Sequence, residues 1–104
     1  MTTATFFKKN GKIHKFNVSG HSGYSEEGSD IVCAAVSSMV MLTVNVITEQ
    51  LGVPCSLKVV EDDALIELSL STENEFAHVL LSGLEREISN LSCDYPEYVR
   101  VIVK

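Results

Sequence analysis

Residues 31–51 limit what this chain can become more than any other segment. They include Ile31, Val32, Ala35, Val36, Met39, Val40, Leu42, Val46 and Ile47, so a helix drawn through them is apolar nearly all round. Such a helix is stable in water only when other elements cover more than one of its sides. Its ends are marked: Asp30 is a good N-cap, Gly52 suits the position after the last turn, and Pro54 follows just beyond. Ser37, Ser38, Thr43 and Asn45 interrupt the apolar run, so the segment reads as too short and too polar to span a membrane. The pattern predicts a core helix over 31–51, and the rest of the chain must supply its cover.

That cover reads as strands and a second helix. Residues 4–9 and 12–18 have strand character and are joined by Asn10-Gly11, a pair that tolerates positive φ and favours a two-residue type I′ hairpin. Residues 56–60 and 65–70 form a second strand pair, with Glu61-Asp62-Asp63 in the turn. In the latter strand Ile66, Leu68 and Leu70 alternate with Glu67 and Ser69. Thr72-Glu73-Asn74-Glu75 matches a capping box, with Thr72 as the cap. The helix it opens carries Phe76, Val79, Leu80, Gly83, Leu84, Ile88 and Leu91 on one stripe and His78, Glu85 and Arg86 away from it. Residues 98–103 close the chain as a strand. The order β-β-α-β-β-α-β predicts one α+β domain over residues 1–104, its two helices packed on a mixed or antiparallel sheet.

Composition narrows the function. A net charge of -6, with no lysine or arginine cluster beyond Lys8-Lys9 and Lys12-Lys15, argues against direct nucleic-acid binding. Cys33, Cys55 and Cys93 are too few and too far apart for a disulfide framework, a zinc site or a C-x-x-C redox motif. Free thiols suit a reducing compartment, and residues 1–9 lack an apolar signal core. The expectation is a cytoplasmic protein with no membrane partner and no metal or organic cofactor. The all-round apolarity of the first helix, with Met41 and Val44 added to it, further predicts a homodimer.

The chemistry-bearing pair is Cys33 and His21. Cys33 falls in the first helical turn after Asp30, where unpaired backbone N–H groups favour a thiolate and offer donors for an oxyanion. His21 sits at the head of a loop, residues 19–29, in which Gly20, Gly23 and Gly28 permit sharp turns and Tyr24 is almost the only apolar anchor. This loop reads as mobile, ordering on substrate. Asp30 can cap the helix, orient His21 or do both, and its position favours capping. Ser37 stands one turn after Cys33 on the same helix face. A lone cysteine among Ile, Val and Ala is usually buried and inert, and a loop histidine is usually solvated. Residue pattern alone therefore leaves three readings: thiol hydrolase, non-catalytic binding module and thiol redox protein. The last lacks a nearby resolving cysteine.

The segment Gly20-His21-Ser22-Gly23-Tyr24, followed by Gly28-Ser29-Asp30-Ile31-Val32-Cys33-Ala34-Ala35-Val36-Ser37, resembles the signature of the ribosomal-processing cysteine proteases, the Prp family. The likeness extends to chain length, element order and the single Cys-His pair. It implies a cysteine endopeptidase that removes the N-terminal extension of a large-subunit ribosomal protein, its precursor being the partner. His21 and Cys33 would be the catalytic dyad, with Asp30 and Ser37 in support. It also implies a short hydrophobic recognition sequence with an aromatic residue before the cut. Ser22 stands where the family pattern leads one to expect alanine.

Overall fold

The computed structural model describes residues 1–104. Strand β1 (Thr2–Lys9) turns into β2 (Lys12–Ser19) through Asn10 and Gly11, at φ 54° and 78°. Both lie in the left-handed region that the type I′ turn requires. After the loop come α1 (Ile31–Asn45), β3 (Cys55–Val60), β4 (Leu65–Leu70), α2 (Glu75–Asp94) and β5 (Val99–Val103). The order β-β-α-β-β-α-β is as the sequence predicts, with strand ends differing by one or two residues.

The sheet order is β3-β4-β2-β1-β5. All neighbours are antiparallel except β1 and β5, which run parallel, so the sheet is mixed. Register separates its two faces. Phe16 pairs with Phe6 on one side and Leu68 on the other, and all three are fully buried. One residue on, Asn17 pairs with Thr5 and Glu67 on the opposite face. There Asn17 donates to Glu67 at 3.2 Å, and the Lys15 ammonium lies 3.5 Å from the same carboxylate. The Asn17 hydrogen bond is the main reason the Glu67 pKa is lowered. The helices cover the apolar face and leave the polar one to water.

Helix α1 differs from expectation in how it ends. Beyond Asn45 the ladder slips into a π-helical turn, Val46–Gln50, where the Leu51 amide donates to the Val46 carbonyl at 2.8 Å. Val44, Val46, Ile47 and Thr48 are β-branched, and the Thr48 hydroxyl donates to the Val44 carbonyl at 2.8 Å, competing with the regular ladder. The continuous helical stretch Ile31–Gln50 has 20 residues, and an 18-residue window of it reaches a mean hydropathy of 2.1. That is long and apolar enough to cross a membrane by composition, so the expectation that it is too short and too polar is corrected. Packing gives it a place in the core instead: Val32, Val36, Val40, Val44 and Ile47 are buried in one cluster with Phe6, Phe16 and Leu68.

Helix α2 also starts and faces differently. Its cap is Asn74, whose side chain accepts from the Ala77 amide at 3.0 Å, while Thr72 stays exposed outside the helix. Asn is a better N-cap than Thr, and starting here turns Ala77, His78, Leu81, Leu84 and Ile88 inward. Phe76 and Val79, expected on the buried stripe, are each 69% exposed. His78, expected in solvent, is buried, and its Nδ1 bonds the Ile13 carbonyl at 2.9 Å. Asn74→Ala should therefore cost about 1 kcal/mol in urea unfolding, whereas Thr72→Ala should leave the midpoint unchanged.

Candidate active site

The site begins where β2 runs out. Gly20 has φ 85°, and a Cβ there would stand 2.5 Å from the Met1 carbonyl oxygen. The Thr2 hydroxyl donates to its carbonyl at 3.3 Å, and its amide donates to the Asp63 carbonyl at 3.2 Å. Gly20 is thus pinned between the start of β1 and the β3–β4 turn, and only a residue without a side chain fits. The chain then turns so that His21 is exposed while Ser22 is buried, at 2% exposure.

Ser22 reaches the cysteine. Its amide donates to the Cys33 sulfur at 3.2 Å. Its hydroxyl donates to Oδ2 of Asp30 at 2.5 Å. The same carboxylate oxygen accepts from the amides of Tyr24 and Ser25 at 3.1 and 3.3 Å. Oδ1 accepts from the amides of Val32 and Cys33 at 2.9 and 3.0 Å. Burial raises the Asp30 pKa, but the Ser22 hydroxyl and the amides of Cys33, Ser25 and Val32 outweigh it, and the value falls from 3.8 to about 2. Asp30 therefore caps α1, as its position suggests, and both its oxygens are occupied by partners other than His21. The expectation that free amides at the helix N-terminus await an oxyanion is corrected for three of them. Those of Val32 and Cys33 are given to the Asp30 side chain, and that of Ala34 to the Asp30 carbonyl at 3.0 Å.

The glycine-rich loop is held in two places. Asp30 grips its first half, and Tyr24 stacks edge-on against both Tyr95 and Tyr98, with ring centroids 5.5 and 5.2 Å apart. Such pairs contribute about 0.5–1.5 kcal/mol each beyond the area they bury. Gly23 and Gly28 both have positive φ, as the loop's turns require.

His21, Gly20, Gly23, Gly28, Asp30, Cys33 and Ser37 all line one cleft of about 510 Å³. Its walls are apolar: Val36, Val40 and Met41 from α1, Val59 and Val60 from β3, and Ile66 from β4. Cys33 is half-buried on its floor. The structure thus brings these seven residues together. It does not join His21 to Cys33 by a hydrogen bond, since the sulfur's partner is the Ser22 amide. The cleft walls, the Ser22 contacts and the tyrosine clamp escape sequence reasoning because strand pairing between β2 and β4 and the return of α2 create them. The one local signal was Ser22 itself, a hydroxyl eight residues before the capping aspartate.

A half-buried thiol at a helix N-terminus, a histidine on the facing loop and an apolar cleft between layers are the components of a cysteine peptidase. Comparison with known proteins gives the family: a family model described as cysteine protease Prp matches residues 1–100, and the chain belongs to it. It is 30% identical over 107 aligned positions to the ribosomal processing cysteine protease Prp of Bacillus subtilis (strain 168), covering 97% of this chain and 96% of that protein. Among solved structures, SMU.848 from Streptococcus mutans superposes with a TM-score of 0.84 at 32% identity, over 100% of this chain and 96% of that one. The Prp protease of S. aureus, solved with a covalently linked product peptide, shares the fold at a TM-score of 0.93, with 24% identity and full coverage of both chains.

The lowered Asp30 pKa carries a sign. Its contribution to stability is complete above pH 3.8, where the unfolded carboxyl is ionised, and is lost as pH falls toward 2. Melting temperatures of the wild type should drop more steeply between pH 3.8 and 2 than those of Asp30→Asn, which has no carboxyl to protonate.

Proposed function

We propose that Cys33 is the nucleophile and His21 the general base and acid of a peptide hydrolase that removes the N-terminal extension of a large-subunit ribosomal protein. The observation that carries the reading is the placement of both residues in one apolar cleft, with the Ser22 amide on the Cys33 sulfur. His21 takes the thiol proton as the sulfur attacks the scissile carbonyl, and returns it to the leaving amine as the C–N bond breaks. The thioester left on Cys33 is then hydrolysed by a water that His21 deprotonates, releasing the acid product and the thiol. No step calls for a metal or organic cofactor.

Asp30 stands outside the proton path, because both its oxygens are committed to Ser22 and to backbone amides. The machinery is accordingly a dyad, and the imidazole swings onto the sulfur when a peptide fills the cleft. Catalytic hydrogen bonds commonly tighten only in the substrate complex. The apolar walls favour a hydrophobic recognition segment, and the family resemblance implies an aromatic residue before the cut. The net charge of -6 favours approach by a basic ribosomal precursor. The Bacillus subtilis relative, called a ribosomal processing protease, supports that choice of substrate. Three free thiols suit work in the reducing cytoplasm.

The second part of the reading is a homodimer. Leu42 on α1 and Leu57 on β3, outside the cleft lining, are 63% and 46% exposed, and a partner copy would cover them. Sedimentation at micromolar concentration should give twice the 11.4 kDa chain mass, and a monomer would contradict this part alone.

The catalytic assignment is tested with the unprocessed ribosomal protein and product mass. Cys33→Ala and Cys33→Ser should abolish cleavage with the fold intact, because a hydroxyl is far less ionised than a thiol. His21→Ala should lose most activity, by about 10²–10⁴-fold, while Cys33 still reacts with iodoacetamide. Cys55→Ala and Cys93→Ala should cleave normally. Undiminished trimming by Cys33→Ala would end the assignment.

A further inference from the structure

The fixed charges on the cleft are all of one sign. None of the chain's eight lysines and arginines lines it, whereas the carboxylates of Glu27, Asp30 and Glu61 do. Asp30 is committed to its five donors. Glu27 and Glu61 are exposed, and neither carboxylate has a hydrogen bond or an ion pair. The molecule's one ion pair, Lys15 with Glu67, lies on the far face of the sheet. Glu26, Asp62 and Asp63, also exposed, stand beside the two acids in the chain.

Local structure fixes where Glu27 and Glu61 stand. Glu27 is the second residue of a turn closed by the amide and hydroxyl of Ser29, which both donate to the Glu26 carbonyl at 3.0 Å. Gly28, third in that turn, has φ 95°, and a positive φ at this place is what a type II turn requires. Glu61 opens the turn between β3 and β4, which the Ala64 amide closes on the Glu61 carbonyl at 3.0 Å. One acid thus comes from the loop that carries His21, the other from the hairpin that supplies Val59 and Val60 to the cleft. The two segments are already joined, since the Gly20 amide donates to the Asp63 carbonyl.

The apolar and acidic parts of the cleft adjoin. Val59 and Val60 directly precede Glu61, so one gives way to the other within a residue, about 3.3 Å of strand. A peptide that lays hydrophobic side chains on that wall carries its next residues past Glu61. Two unpaired carboxylates at the edge of a cleft with low-dielectric walls focus a negative potential there. It stabilises a cationic side chain and repels an anionic one, and selectivity draws on both.

We propose that Glu27 and Glu61 are specificity-determining residues of the cleft: together they receive a lysine or arginine lying within a few positions of the substrate's hydrophobic segment, and they reject an acidic residue there. This rests on the reading of the cleft as a peptidase site. The basic character of the precursor is then read at a defined place in the cleft and not by net charge alone.

The test uses synthetic peptides spanning the cleavage segment of the unprocessed ribosomal protein, with lysine, glutamine or glutamate placed in turn at each position within about four residues of the cut. It measures kcat/KM for each enzyme and, by fluorescence anisotropy, Kd for Cys33→Ala. At one position, or two adjacent ones, the wild type should favour lysine over glutamate by about tenfold, with glutamine between, because attraction and repulsion at an exposed site each amount to a few-fold. That preference should shrink to about twofold in Glu27→Gln/Glu61→Gln and invert in Glu27→Lys/Glu61→Lys. A ratio between peptides cancels any effect of the substitutions on His21 or the loop, and thermal transitions check that each variant folds. Added salt should weaken the wild-type preference. Equal cleavage of lysine and glutamate peptides by the wild type at every position, or a preference that survives intact in Glu27→Gln/Glu61→Gln, would overturn the proposal. Selective binding of lysine peptides by Cys33→Ala, with no cleavage of any peptide by the wild type, would instead overturn the peptidase reading and leave the recognition standing, so the two failures are distinguishable.

Discussion

The carboxylate of Asp30 is the interaction on which the rest of the site depends. It accepts five hydrogen bonds, two from the first turn of α1 and three from the preceding loop. Capping a helix needs only the first two. The other three turn the cap into a junction, joining the helix that carries Cys33 to the loop that carries His21. Charge-assisted bonds of this kind are stronger than neutral ones, so one buried anion can hold a loop that has little apolar surface.

The two chemical groups are supported unequally. Cys33 stands on α1, whose inner face is packed into the core beside Phe6, Phe16 and Leu68. His21 stands on a loop anchored by Gly20 behind it, by Asp30 ahead of it and by Tyr24 against Tyr95 and Tyr98. This arrangement suits the proposed dyad, in which the imidazole reaches the sulfur with a peptide in the cleft. The β3–β4 hairpin contributes the opposite wall, and the bond from the Gly20 amide to Asp63 ties that wall to the loop.

The parts of this arrangement set by local chemistry were legible in the sequence. Asn10-Gly11 announces its hairpin because few other pairs accept two positive φ angles, and Asp30 announces its helix because an N-cap acts within three residues. The Gly-His and Asp-x-x-Cys segments lie close enough along the chain to reach one place, and His21 and Cys33 both line one cleft. What sequence did not disclose depends on partners distant along the chain. The inward face of α2 was misjudged because Phe76 and Val79 offer a plausible stripe, and only contact with the sheet favours Ala77, His78 and Leu81. The π-turn after Asn45 depends on a threonine hydroxyl competing for a carbonyl, which periodicity does not register. The contacts of Ser22 form only when the loop folds back on the cap.

The central claim, that peptide cleavage passes through a thioester on Cys33, is tested most directly by catching the intermediate. The wild-type protein is mixed with a stoichiometric precursor peptide, quenched in acid within one turnover, digested and mapped by mass. The account predicts an acyl adduct on the fragment that contains Cys33 and on neither fragment that contains Cys55 or Cys93. An adduct on either of those cysteines, or cleavage in a single turnover with no adduct on Cys33 at any quench time, would contradict it.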